Sequence, residues 1–190
     1  MVIPFASPQT AGDLNVIAIS WDDTTSQIIS VTDAAGNVYQ PATPVTTQAG
    51  FGSIAIYYAA NILSSASNSV TVQFSDSVLW PDVRILEYSG LALVNPVDVW
   101  AGAAGNSSTS SSGSITTTNA HDLLFGANYV DSETTTGPGP GFTQRILTAP
   151  DDFDIAEDET VTAAGSYSAE AILSGNGNWV MQMVAFKAAY

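Results

Sequence analysis

The chain has 190 residues, 45% of them apolar, with no cysteine and a formal net charge of −15. Only 3 lysines and arginines stand against 18 acids, a balance that repels phosphate backbones and anionic headgroups. The expected partners therefore exclude nucleic acid and membrane surfaces and favour neutral glycans and cations. The lack of cysteine excludes a disulfide framework, a thiolate metal site and a cysteine nucleophile, and the apolar share excludes a disordered acidic tail.

The length predicts one domain spanning 1–190. Polar positions are filled by Ser, Thr, Asn and Gln rather than Lys, which fits an extracellular setting, secreted or at a cell surface. Met1 is followed at once by VIPF, without the basic and apolar regions of a signal peptide. The expectation is a module taken from a longer exported protein.

Short apolar alternation, broken by turn residues, predicts strands along the whole chain. In order they are 2–5, 14–21, 27–33, 37–41, 53–60, 69–75, 82–89, 96–100, 112–118, 122–130, 142–148, 160–169 and 178–187. Asp33–Asn37 and Asn176-Gly177 read as tight turns, because Asn and Gly tolerate positive φ. Gly137–Gly141 (GPGPG) reads as a loop that no helix or central strand accepts. The run 105–114 (GNSSTSSSGS) reads as a long exposed loop within one domain rather than a linker between two. Many strands with almost no helical periodicity predict an all-β fold, a two-sheet antiparallel β-sandwich of jelly-roll type.

The densest chemistry is PDDFDIAEDE at 150–159, where Asp151, Asp152, Asp154, Glu157, Asp158 and Glu159 crowd together. The spacing is not that of an EF-hand, since the position that needs Gly is Glu157. Two readings stand: a solvated acidic loop, or a calcium site drawn from Asp152, Asp154, Glu157 and Asp158. The few basic residues, Arg84, Arg145 and Lys187, cannot neutralise the segment. A short helix here is the one helical element considered.

No catalytic residues are assigned. The single histidine, His121, has no nucleophile motif beside it, and a non-enzyme is expected. Glu87 lies mid-strand on the face of Val83 and Ile85, opposite Arg84, so it needs a polar partner. Candidate ligand-binding residues are the aromatics Trp80, Trp100 and Tyr129, set near loops where flat faces can stack on sugars. Gln73, Asn128 and Gln182 join them as mid-strand amides that interrupt apolar faces.

The segments AGDLNVIAISWDDT (11–24), SVTDAAGN (30–37), IYYAANI (56–62), SVTVQFS (69–75), PDVRILEYSGL (81–91), HDLLFGANY (121–129) and WVMQMVAFK (179–187) carry a resemblance. The chain resembles a β-sandwich module of large secreted bacterial proteins, and by architecture it is similar to jelly-roll carbohydrate-binding modules, many of which carry a structural calcium. The resemblance implies a non-catalytic polysaccharide-binding accessory module. The alternatives are a structural or adhesive extracellular module whose work is self-association and, third, a glycoside hydrolase or lyase.

Overall fold

The structure, a computed structural model, describes residues 1–150 and 152–189. The first half of the chain supplies β1 (Val2–Pro4), β2 (Leu14–Trp21), β3 (Ile28–Asp33), β4 (Gln40–Pro41), β5 (Thr46–Gln48), β6 (Gly52–Ala59), β7 (Ser69–Phe74) and β8 (Asp82–Tyr88). The second half supplies β9 (Val97–Ser111), β10 (Ile115–Thr116), β11 (Asp122–Val130), β12 (Thr135–Pro138), β13 (Thr143–Leu147), β14 (Ile155–Val161), β15 (Ser166–Tyr167) and β16 (Glu170–Lys187). There is no helix among the described residues.

The fold is an all-β sandwich. One principal sheet runs β4-β6-β2-β8 with β5 also on β6, and the other runs β12-β16-β11-β14-β13 with β9 also on β16. Two smaller sheets, β1-β7-β3 and β10-β15, extend the expected two-sheet arrangement outward. Every ladder is antiparallel, and each sheet draws its strands from one half of the chain alone.

Strand alternation distributes the apolar residues among three cores. Leu14, Val16 and Ala18 of β2 face the other principal sheet and meet Phe125, Val180, Val184 and Phe186. The intervening Ile17, Ile19 and Trp21 point the opposite way and pack under Val31, Val70 and Val72 of the small sheet. Likewise Leu124, Met181, Met183 and Ala185 leave the central core for an outer one, which Ile115 and Tyr167 help to cover. A strand buried on both faces reads as a continuous apolar run, which is why LNVIAISW is buried at all eight positions. Each fully buried Ile, Leu or Phe contributes about 1.5–3 kcal/mol of transfer free energy.

Three expectations are corrected. The Ser-rich run is not a loop: Gly105–Ser111 belongs to β9 and pairs with β16, Ser110 opposite Ala171 and Thr109 opposite Ile172. Hydroxyls substitute for apolar packing there, since buried Ser110 donates to the Ala171 carbonyl and accepts from Asn128. Asn176-Gly177 is not a hairpin turn but lies in an irregularity of β16, between Ile172 and Gly177. The segment 151–159 is neither loop nor helix from Ile155 onward, because Ile155 and Ala156 are fully buried on the two faces of β14.

Candidate functional site

The acidic segment disperses once it folds. Asp154 and Asp158 point into the space between the principal sheets, and Glu157 points to the outer core, as alternation along β14 requires. All three are buried. Asp154 accepts from Ser20 Oγ at 3.0 Å and from the Val130 amide at 2.9 Å, and lies 3.6 Å from Arg84. Asp158 accepts from Tyr88 Oη and from Arg145 Nε, both at 2.8 Å. Glu157 accepts from the Gly139 amide at 3.2 Å, and burial pushes its carboxyl up to about 8. The proposed calcium set Asp152, Asp154, Glu157 and Asp158 therefore does not converge on one point. No group of three potential metal ligands does so among the described residues. Asp151 lies outside the described residues. The basic side chains do reach the segment: Arg84, remote in sequence, partners Asp154, and Arg145, on the adjacent strand β13, partners Asp158.

Arg84 is 1% exposed and holds the sheets together. Its Nη1 donates to the carbonyls of Asn128 and Ile155, at 2.8 and 2.6 Å, and its Nη2 donates to Ser20 Oγ. Asp82 lies 3.0 Å from Nε. Glu87, on the opposite face, has the partner it needs, accepting from the Thr10 amide at 2.7 Å.

The six ligand-binding candidates separate. Asn128 and Gln182 are fully buried and structural. Asn128 accepts from the Ile155 amide and donates to Ser110 and Thr135. Gln182 accepts from Thr43 and donates to Pro44 and Thr46. These are satisfied internal amides, so neither lines a concave face. Gln73 is exposed on β7, opposite Ser30, and Trp100 is 44% exposed on β9. Trp80 and Tyr129, by contrast, meet in one cleft of about 600 Å³, completed by Asp22, Val130, Asp131, Pro150 and Asp152.

The cleft opens where both principal sheets end. Asp22 follows β2, Trp80 precedes β8, and the antiparallel β2–β8 pairing brings those ends together. The Asp22 amide donates to the Leu79 carbonyl at 3.1 Å and so anchors the Trp80 turn. Asp131 follows β11. Asp152 sits on a turn closed by its own amide and that of Phe153, both donating to the Thr148 carbonyl, and by the Thr148 amide donating to Asp154. Trp80 is 71% exposed with φ of 45°, and Phe153 has φ of 59°. Left-handed backbone at a bulky residue costs about 1–2 kcal/mol and recurs where structure serves a ligand.

Tyr129 forms the inner wall. Its ring stacks on Phe51 with centroids 4.9 Å apart and planes at 17°, and it lies over Gly52, where a Cβ would collide with the ring. Only 5% of Tyr129 is exposed, and its hydroxyl has no hydrogen-bond partner among the described residues. Burial raises that hydroxyl's pKa, helped by the charges of Asp22, Asp154, Asp131 and Asp152. Burial also raises Asp22, followed by repulsion from Asp131 and Asp23. Neither Asp22 nor Asp131 has a hydrogen-bonding or ion-pairing partner for its carboxylate among the described residues.

A second cleft, of about 480 Å³, lies at the other end of β8, lined in part by Tyr88, His121, Arg145 and Asp158. Its polar groups are largely committed to one another through the Tyr88–Asp158–Arg145 bonds. Among the residues of the Trp80 cleft, Asp131 and Pro150 carry no signal in the sequence. Asp22 opens the run Asp22-Asp23-Thr24-Thr25, whose closely spaced side-chain oxygens are visible in the sequence.

No protein-family model, curated protein sequence or solved structure matches this chain.

Proposed function

We propose that the chain is a non-catalytic glycan-binding module that seats a sugar on Trp80 at the cleft shared with Tyr129. The observation that carries this reading is the Trp80 indole, 71% exposed and held in left-handed backbone at the mouth of an acidic cleft. A flat ring offers one face to the C–H surface of a sugar, while carboxylates accept hydrogen bonds from its hydroxyls.

Affinity electrophoresis against soluble glucans, xylans and mannans, and pull-down on insoluble ones, tests the reading. Retardation by at least one polysaccharide, lost in Trp80→Ala and kept in Trp100→Ala, is the expected result. Retention of binding in Trp80→Ala removes the cleft from the mechanism.

A further inference from the structure

The cleft carries more acid than a neutral sugar needs. Three carboxylates, Asp22, Asp131 and Asp152, line one opening with a tryptophan, and no basic side chain lines it. The chain's three lysines and arginines are placed elsewhere: Arg84 is buried against Asp82 and Asp154, Arg145 is paired with Asp158, and Lys187 lies opposite Asp122 in the β11–β16 ladder. Arg84 is sealed between the sheets. The acids do not converge as metal ligands do; they surround a volume of about 600 Å³, the scale of a small organic group.

A second feature, independent of the acids, points to a ligand in the same cleft. Tyr129 is 5% exposed as a residue and lines this cleft, and its hydroxyl has no hydrogen-bond partner among the described residues. The hydroxyl oxygen is not sealed from solvent, so it is open to a ligand that enters the cleft. The hydroxyl both donates and accepts, whereas the carboxylates beside it only accept. The carboxylates therefore call for donors, and the field favours positive ones. The indole face of Trp80 favours the same charge, because the ring quadrupole is negative above its plane.

We propose that the cleft is selective for amino sugars with a free, protonated amine, the ammonium lying among Asp22, Asp131 and the Tyr129 hydroxyl while the pyranose ring stacks on Trp80. This rests on the glycan-binding reading and specifies its ligand class: a de-N-acetylated hexosamine polymer rather than a neutral or N-acetylated one. The charge of the ligand supplies the complement to Asp22 and Asp131, and the ring supplies the shape.

Calorimetric titration of the intact chain, in mildly acidic low-salt buffer, with three oligomers of equal length decides the matter: glucosamine, N-acetylglucosamine and glucose. The glucosamine oligomer is expected to bind about tenfold or more tightly than the other two, about 1.4 kcal/mol, and its advantage is expected to shrink as salt is added. Asp22→Asn and Asp131→Asn each reduce that preference several-fold, Trp80→Ala weakens all binding, and Asp76→Asn, at an exposed site outside the cleft, changes neither. Equal affinity for all three oligomers overturns the amine selectivity and leaves glycan binding standing. Absence of binding to any of them overturns the amine selectivity, and the glycan-binding reading falls with it if xylans and mannans also leave the chain unretarded. A loss in Asp76→Asn equal to that in Asp131→Asn shows that net charge, not the cleft, attracts the ligand, and overturns the proposal. So does oligolysine that binds as tightly as the glucosamine oligomer and is insensitive to Trp80→Ala.

Discussion

Arg84 and Asp154, both fully buried, meet 3.6 Å apart between the two principal sheets, joined through Ser20, which accepts from one and donates to the other. The pair links β8 of the first half to the entry of β14 in the second. Burial pushes the Asp154 carboxyl upward, and the guanidinium opposes that shift.

Arg84→Met removes the cation and leaves Asp82 and Asp154 facing each other without compensation, with the Asn128 and Ile155 carbonyls stripped of their donor. Breaking one side of a buried ion pair costs about 3–5 kcal/mol. Urea unfolding is expected to show that loss, and the triple variant Asp82→Asn, Arg84→Met, Asp154→Asn to recover part of it. A single variant as stable as the parent chain would show that the guanidinium contributes nothing.

Glu157 sets a pH dependence of stability. Burial, which outweighs the Gly139 amide bond, raises its carboxyl from 4.5 to about 8 in the folded chain. A carboxyl raised on folding favours the folded state while protonated, so its contribution is complete below pH 4.5 and is lost as pH climbs to about 8. Asp122, raised to about 6 by burial and by the neighbouring Asp98, acts only in the lower part of that window. The urea midpoint is therefore expected to fall between pH 6 and 8, and to fall much less in Glu157→Gln. Parallel pH profiles for the two proteins would refute the assignment.

Trp80 separates binding from stability. Its side chain is mostly in solvent and its backbone is left-handed. Glycine removes the strain of about 1–2 kcal/mol and returns part of it through the unfolded chain's added freedom. Trp80→Gly is expected to melt no lower than the parent while losing glycan retention. A melt lowered by several degrees would mean that the indole packs as a structural group.

Asn128 is the opposite case. Its side chain serves the Ile155 amide, Ser110 and Thr135, at 2.8, 3.1 and 3.0 Å, where no water reaches. Asn128→Ala orphans those partners at about 1–3 kcal/mol each before relaxation. Chemical denaturation should show a total loss above 2 kcal/mol, with glycan affinity per folded molecule unchanged. A loss of affinity without a loss of stability would restore Asn128 to the binding surface.

The strands were legible because apolar alternation is a local signal: 14–21 and 122–130 match β2 and β11 at both ends. What was not legible depends on partners distant in sequence. PDDFDIAEDE looked wet because its acids are adjacent, yet alternation sends Glu157 and Asp158 to opposite faces, and the compensating guanidinium of Arg84 comes from 70 residues earlier. The Ser-rich stretch looked like a loop because hydroxyl pairing with β16 leaves no apolar pattern. Trp80 and Tyr129 were each visible as aromatics beside loops. Their meeting required the order of the strands, and Asn128 and Gln182 could not be distinguished from exposed amides without it.

The confinement of every sheet to one half of the chain has a consequence for synthesis. β1–β8 can finish all their pairing before β9 has been translated. The inner surface of Leu14, Val16, Ile54 and Ile56 then stays bare until Phe125, Val184 and Phe186 have been made. The nascent protein thus leaves a broad apolar plane uncovered during the production of its second half. Asp22 and Trp80 wait on that same intermediate for Tyr129 and Asp131. Under the glycan-binding proposal, capture would wait until the two halves have docked.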